Sequence, residues 1–304
     1  MKSFIHFVFL SLSLLFAAPY LMAADTTPAP SDSVVVEYVV VNATITPLRE
    51  EPSEAAEQAT QLLFGQECQV IERRSSWIKV RNLTDGQQGW VSRSMLTTVA
   101  APTATTPDSP IAVIVTPMAI VTPLDGAAPL VLTLGTQLPL YADGLFQVLG
   151  KQYSIDPACV KIRQRGQATS AQLREELIAM AKSLLNTPYL WGGKNMMGLD
   201  CSGFSQVLYS AIGINILRNA REQATQGETV TSLSDVLPGD LAFFNHADRN
   251  PEATRITHVG LLLSPTEIIH CAGGCVHIDS IAPDGIYTSS GHKTHHLAQI
   301  NRYF

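Results

Sequence analysis

Cys201 stands in the run Asp200-Cys201-Ser202-Gly203-Phe204 at the head of a helical pattern, and two histidines, His258 and His270, follow on strand-like segments. A thiol attacks only as thiolate, and a helix N-terminus plus a nearby imidazole are the usual means of forming one. Asp200 reads as a helix N-cap. That puts Cys201 in the first turn, where unpaired backbone amides and the helix dipole favour a thiolate and can hold an oxyanion. The competing reading is a small buried core cysteine. The histidines tip the balance: they flank a turn centred on Ser264-Pro265, and a simple antiparallel hairpin there sets them directly opposite each other on one face. Two imidazoles side by side fit a base and its orienter, with His258 taking the Cys201 proton and His270 fixing its tautomer.

His270, Cys271, Cys275 and His277 lie close enough in sequence to raise a zinc reading. Neighbouring His270 and Cys271 point to opposite faces of a strand, and the Cys-x3-Cys interval has no second knuckle, so neither metal nor cofactor is expected. His292, His295 and His296 are read as a solvated loop. Of five cysteines, the odd one out is Cys201 as a free thiol. Cys271 and Cys275 flank Ala272-Gly273-Gly274, which leaves open a tight local disulfide or a pair of small buried thiols.

These residues need elements to hold them. Thr169 with Gln172 makes a capping box, and Leu173, Leu177, Ile178, Ala181, Leu184 and Leu185 recur at helical spacing until Asn186-Thr187-Pro188. A second helix starts at Cys201, with Phe204, Val207, Leu208 and Ala211 on one face. Strands follow at 240–244, 258–263 and 267–270. Helices first and antiparallel strands afterwards is an α+β order, and it spans 165–304.

Ahead of this unit, residues 34–99 carry short strands at 35–41, 62–64, 68–71, 77–80 and 89–91, the last two forming a hairpin around Asp85-Gly86 and ending in Gly89-Trp90-Val91. Residues 111–164 are again strand-rich but lack a Gly-Trp-Val ending. Thr/Pro/Ser-rich stretches at 25–33 and 100–110 read as linkers. Residues 1–24 combine Lys2, an apolar run interrupted by Pro19, and Ala23-Ala24, which reads as a cleaved signal peptide, with no membrane attachment afterwards. The protein is thus expected to be exported, to the periplasm or beyond the cell, as a monomer. Its formal charge of −6 offers no basic surface for nucleic acid or anionic lipid.

The 34–99 pattern resembles a bacterial SH3 (SH3b) barrel, and 111–164 a degenerate second one. Tyr189-Leu190-Trp191-Gly192-Gly193, Asp200-Cys201-Ser202-Gly203-Phe204, Leu237-Pro238-Gly239-Asp240-Leu241, Thr257-His258-Val259-Gly260 and Ile269-His270, in that order, resemble the NlpC/p60 cell-wall cysteine peptidases. The SH3b-like part extends the resemblance to the γ-D-glutamyl-diamino-acid endopeptidases of that family. The resemblance implies a papain-like α+β domain that cuts the amide between D-Glu and diaminopimelate or Lys in peptidoglycan stem peptides or muropeptide fragments. Cys201 is then the nucleophile, His258 the base and acid, and His270 its orienter. Tyr189, Trp191, Asp200 and Ser202 match residues that line the substrate groove. Glu57 matches the barrel carboxylate that contacts the free amino group of an N-terminal L-Ala. Gln87 departs from the family pattern where a tyrosine is common, and Asn219 where an aspartate is, whereas Cys201, His258 and His270 keep to it. The same Cys-His-His set would also serve an amidase or acyltransferase on another substrate, or an effector toxin. An inert domain would leave a peptidoglycan-binding protein.

Overall fold

The computed structural model describes residues 36–103, 109–164, 168–245 and 255–304. The signal segment 1–24 and the linker 25–33 lie outside the described residues, as does 104–108 of the 100–110 linker. Among the described residues no helix is long and apolar enough to cross a membrane.

The first strand group is one antiparallel sheet of seven, in the order Gln58–Leu63, Ile45–Arg49, Gln88–Ser92, Trp77–Asn82, Glu67–Arg74, Tyr38–Val41, Leu96–Val99. Its core is Val39, Val41, Leu48, Leu62, Ile78, Val80 and Val91, from alternate positions along the strands. The hairpin around Asp85-Gly86 pairs Ile78 with Val91. Glycine is required at its far side, because a Cβ on Gly89 would come within 2.0 Å of Leu48 Cδ2. The next group packs a four-stranded against a three-stranded antiparallel sheet. Its core takes in Val40 and Phe64 from the first group, and Phe64 meets Tyr153 edge to face at 5.5 Å.

The third group carries α1 (Ser170–Ser183), α2 (Cys201–Ala211), the short α3 (Ala220–Gln223) and an antiparallel barrel. Strand Lys293–Arg302 pairs on one side with Leu241–Asn245 and on the other with Gly285–Tyr287, so the chain of strands closes on itself. Closure removes the free edges an open sheet would leave. The capping box of α1 forms as read, with Gln172 N–H donating to Thr169 Oγ1 and Thr169 N–H to Gln172 Oε1. Leu177, Ala181 and Leu184 of α1 are buried, whereas Leu185 faces outward and Arg174 and Met180 take inward positions. Arg174 is tolerated there because it donates to Asp240 Oδ1, Pro238 O and Phe304 O and lies over the Phe304 ring. α2 is buried on nearly every side, the condition of a helix wrapped by sheet and neighbours.

Two expectations are corrected, for the histidine pairing and for the His292–His296 segment, and the alternative left open for Cys271 and Cys275 falls to free thiols. His258 and His270 are not directly opposed: Leu261 pairs with Ile269, and the turn runs through Pro265-Thr266 after an irregularity between Leu262 and Ser264. The register is two residues from the simple hairpin, so both rings keep the same face as diagonal neighbours. Cys271 and Cys275 are free thiols. Cys271 pairs with Val276 and Ala272 with Cys275, so the two sulfurs point to opposite faces of the hairpin. His295 and His296 belong to strand Lys293–Arg302, both half-buried, and only His292 sits in an exposed loop.

Candidate active site

Asp200 caps α2, its Oδ1 accepting from Gly203 N–H at 2.6 Å, and Cys201 is the first helical residue. The Cys201 amide therefore lies in the first turn, where backbone N–H groups have no intrahelical acceptor. The thiol is met by the backbone N–H groups of Val259 and Ser202. Val259 follows His258 at the start of strand His258–Ser264, so Cys201 and His258 meet the same strand end. Burial, then the Asp200 carboxylate, push the Cys201 thiol up to about 12, against the opposing pull of the Val259 N–H, Arg218 and the Ser202 N–H. The helix position thus moderates a cost of burial and does not by itself yield a thiolate.

From His258 a chain of contacts runs through a second histidine to a carboxylate. His258 Nε2 lies 2.8 Å from His270 Nδ1, and His270 Nε2 lies 3.3 Å from Asp279 Oδ2. An ionised carboxylate accepts only, so His270 carries its proton on Nε2 and presents a bare Nδ1. His258 must then donate from Nε2, which leaves the lone pair on its Nδ1 as the available base. Burial lowers the pKa of His270, with Asp279 opposing and His277 adding to the fall. The hydrogen bond from His270 holds Asp279 below the usual carboxylate range. His295 stacks on His258, with ring centroids 4.3 Å apart, and covers its outer face.

Asp200 has both oxygens engaged. Besides Gly203, Oδ1 accepts from Ser202 Oγ and Arg218 Nη1, while Oδ2 accepts from Gly192 N–H and Arg218 Nη2. Arg218 Nη1 also reaches Ser202 Oγ at 2.8 Å, and its Nε reaches Thr60 Oγ1 of the first strand group. Asp200 and Ser202, matched to groove-lining residues, are therefore buried in this network. Tyr189 and Trp191 are partly and well exposed, on the segment that crosses in front of α2. Burial and the adjacent Cys201 raise the Tyr189 phenol, which places that ring in the electrostatic reach of the sulfur.

Strand Gln58–Leu63 docks on the same segment: Gln58 Nε2 donates to Trp191 O, and Gln61 Oε1 accepts from Lys194 N–H and Asn195 Nδ2. Gly192, at φ +73°, has room only for hydrogen, since a Cβ would lie 2.6 Å from Gln58 O. Glu57 immediately precedes this strand and is exposed. Asn219 is spent locally, its backbone N–H and Nδ2 both donating to Glu222 Oε2 at the start of α3. Gln87 closes the Asp85 turn through a bond from its N–H to Asp85 Oδ1.

Asp279 and His277, the second weighed only as a zinc ligand, were not assigned to this site from sequence, nor were Arg218 and His295, the second read as loop. The first two were open to the same hairpin arithmetic: a turn at Gly273-Gly274 pairs His270 with His277 and Ile268 with Asp279.

Residues 186–293 match the NlpC/P60 family, and residues 48–96 match the bacterial dipeptidyl-peptidase Sh3 domain. The chain is 32% identical over 224 residues to the gamma-D-glutamyl-L-lysine dipeptidyl-peptidase of Bacillus subtilis (strain 168), covering 69% of this chain and 71% of that protein. It is 28% identical over 226 residues to the protein of the same name from Bacillus cereus (strain ATCC 10987 / NRS 248), covering 69% of this chain and 66% of the other. The fold is shared with the crystal structure of an NlpC/P60 family protein from Bacillus cereus ATCC 10987, with a TM-score of 0.74 at 22% identity over 88% of this chain and 99% of that one. With a buried cysteine at a helix start, a two-histidine relay and these matches, the chain belongs to the NlpC/P60 family, carries a bacterial SH3 domain ahead of the family domain, and is a peptidase.

Proposed function

We propose that the protein is an exported cysteine endopeptidase that hydrolyses the γ-D-glutamyl-diamino-acid bond of peptidoglycan stem peptides, and that it prefers peptides with a free N-terminal L-Ala. The observation that carries the reaction type is the line of contacts from His258 to His270 to Asp279 beside a thiol at the first position of α2. The substrate is supported by the relatives in Bacillus, whose names specify a γ-D-glutamyl-L-lysine bond.

Cys201 Sγ attacks the γ-carbonyl carbon of D-Glu as His258 Nδ1 takes the thiol proton. His270 and Asp279 hold the resulting imidazolium through its Nε2–H. The developing oxyanion is met by the Cys201 amide in the first helical turn. Collapse breaks the C–N bond, His258 returns its proton to the departing amine, and water then hydrolyses the thioester with His258 again as base. Tyr189 and Trp191 form the exposed aromatic side of the groove, and Glu57 stands at the start of the strand that docks against Trp191, a position suited to pairing with an ammonium.

Incubation with L-Ala-γ-D-Glu-L-Lys and its diaminopimelate counterpart, followed by mass spectrometry, should yield L-Ala-D-Glu and the free diamino acid, with no turnover by Cys201→Ala. N-acetylation of L-Ala should suppress cleavage by at least tenfold. Survival of both peptides would sink the substrate assignment, and equal turnover of the acetylated form would remove the role given to Glu57.

A further inference from the structure

We propose that His270, His277 and Asp279 form a binding site for a divalent metal of the zinc class, and that its occupation switches the Cys201 centre off. The site differs from the Cys271-Cys275 grouping set aside above. Hairpin pairing puts His277 opposite His270, and Asp279, two residues further, shares their face. The three donor atoms lie within 4.8 Å of one another. Asp279 Oδ2 is 3.3 Å from His270 Nε2 and also 3.3 Å from His277 Nε2. Bonds of about 2.0–2.1 Å to a tetrahedral zinc imply ligand-to-ligand edges of about 3.3 Å, so these separations need little adjustment. Two imidazoles and a carboxylate are a donor set such an ion favours, with water in the fourth position.

An independent observation comes from the second ring nitrogen of His277. Its Nδ1 lies 2.9 Å from Cys275 O, a pure acceptor, so one proton sits on Nδ1 and Nε2 is the nitrogen aimed at the Asp279 carboxylate. A second proton on Nε2, or a metal cation in its place, satisfies that contact. The His277 side chain is 34% exposed while His270 and Asp279 are 1% and 10% exposed, so the cluster opens to solvent on the His277 side and is dry on the other.

The consequence for catalysis rests on the roles given to Cys201, His258 and His270 above. A metal on His270 Nε2 confines the His270 proton to Nδ1, which then donates to His258 Nε2. His258 keeps its single proton on Nδ1 and has no lone pair left for the Cys201 thiol. Each ring still carries one proton, but both have moved to the unproductive nitrogen.

The test uses the whole chain and a readout separate from peptide cleavage. Cobalt(II) titration should produce the visible absorption of a four-coordinate nitrogen/oxygen site, equally in wild type and in Cys201→Ala, and the band should vanish in His277→Ala and His277→Gln. Zinc should slow iodoacetamide alkylation of Cys201 at least tenfold in wild type, reversibly with chelator, and leave each His277 variant at its own zinc-free rate. Absence of the cobalt band, its loss in Cys201→Ala, its survival in both His277 variants, or binding without slowed alkylation would each overturn the proposal. Failure of the muropeptide reading alone would show as uncut tripeptide with these metal signals intact.

Discussion

Arg218 Nη2 lies 2.6 Å from Asp200 Oδ2, with only 1% and 8% of the two side chains exposed. One guanidinium thus joins the N-cap of the nucleophile helix, the Ser202 hydroxyl and Thr60 of the N-terminal strand group. Five donors in a rigid fork allow this, and a lysine's single ammonium does not.

Arg218→Met should therefore destabilise the protein by about 3–5 kcal/mol, because it strands a buried carboxylate without its partner. Arg218→Lys should recover less than half of that loss. Urea denaturation of both variants checks this, and a loss below about 1 kcal/mol for the methionine variant would show that the network contributes little.

Asp279 is placed as the group that fixes the His270 tautomer and, through it, the base nitrogen of His258. Asp279→Ala should lower kcat on the order of 100-fold with KM little changed, since what is lost is proton placement in the transition state and not binding. Steady-state kinetics on the tripeptide would measure both constants. A variant with more than half the wild-type kcat would mean that His270 finds its tautomer without the carboxylate.

Much of this site was legible because its signals are local. The Asp200 cap, the first-turn cysteine, the Thr169–Gln172 capping box and the hairpin turn each reside in a few consecutive residues. The hairpin register was misjudged because the turn lies at Pro265-Thr266; the irregularity between Leu262 and Ser264 brings the resulting offset back to an even two, so the shared face survived, since a strand's side chains repeat every second residue. The strand Ile45–Arg49 was missed because Pro47 reads as a breaker. The role of Arg218 was not legible: its partners Asp200 and Thr60 are 18 and 158 residues away, and the second is brought to it only by the docking of the N-terminal strands.

The sequence also suggested a thiolate primed by its helix, whereas burial pushes Cys201 up to about 12. The resting enzyme should hold a neutral thiol that loses its proton to His258 only as attack proceeds. The ultraviolet difference spectrum of wild type against Cys201→Ala should then lack a thiolate band at pH 7. A full band at that pH would mean a stored thiolate-imidazolium pair.

Lys194 carries the last prediction. Its side chain is buried where the first strand group meets the nucleophile helix, and burial lowers its pKa from 10.5 to about 8, with Asp85 opposing. The folded state disfavours the ammonium relative to the unfolded chain, so below about pH 8 the protein carries the full penalty. The penalty shrinks as pH rises from about 8 to 10.5 and vanishes above that range. At about 1.4 kcal/mol per unit it amounts to about 3–4 kcal/mol as an upper bound. Lys194→Met, which keeps the length of the stem without the charge, should accordingly raise the melting temperature at pH 7, and its advantage over wild type should narrow on going to pH 10. Taking the difference between the two proteins cancels the alkaline titration of Cys201, whose thiol burial raises in both, and Cys68, on which Lys194 itself acts, is pushed up to about 12 and lies outside the range compared. Thermal melts across that range decide the matter: an advantage that stays constant with pH would mean that Lys194 is neutral, or solvated, throughout.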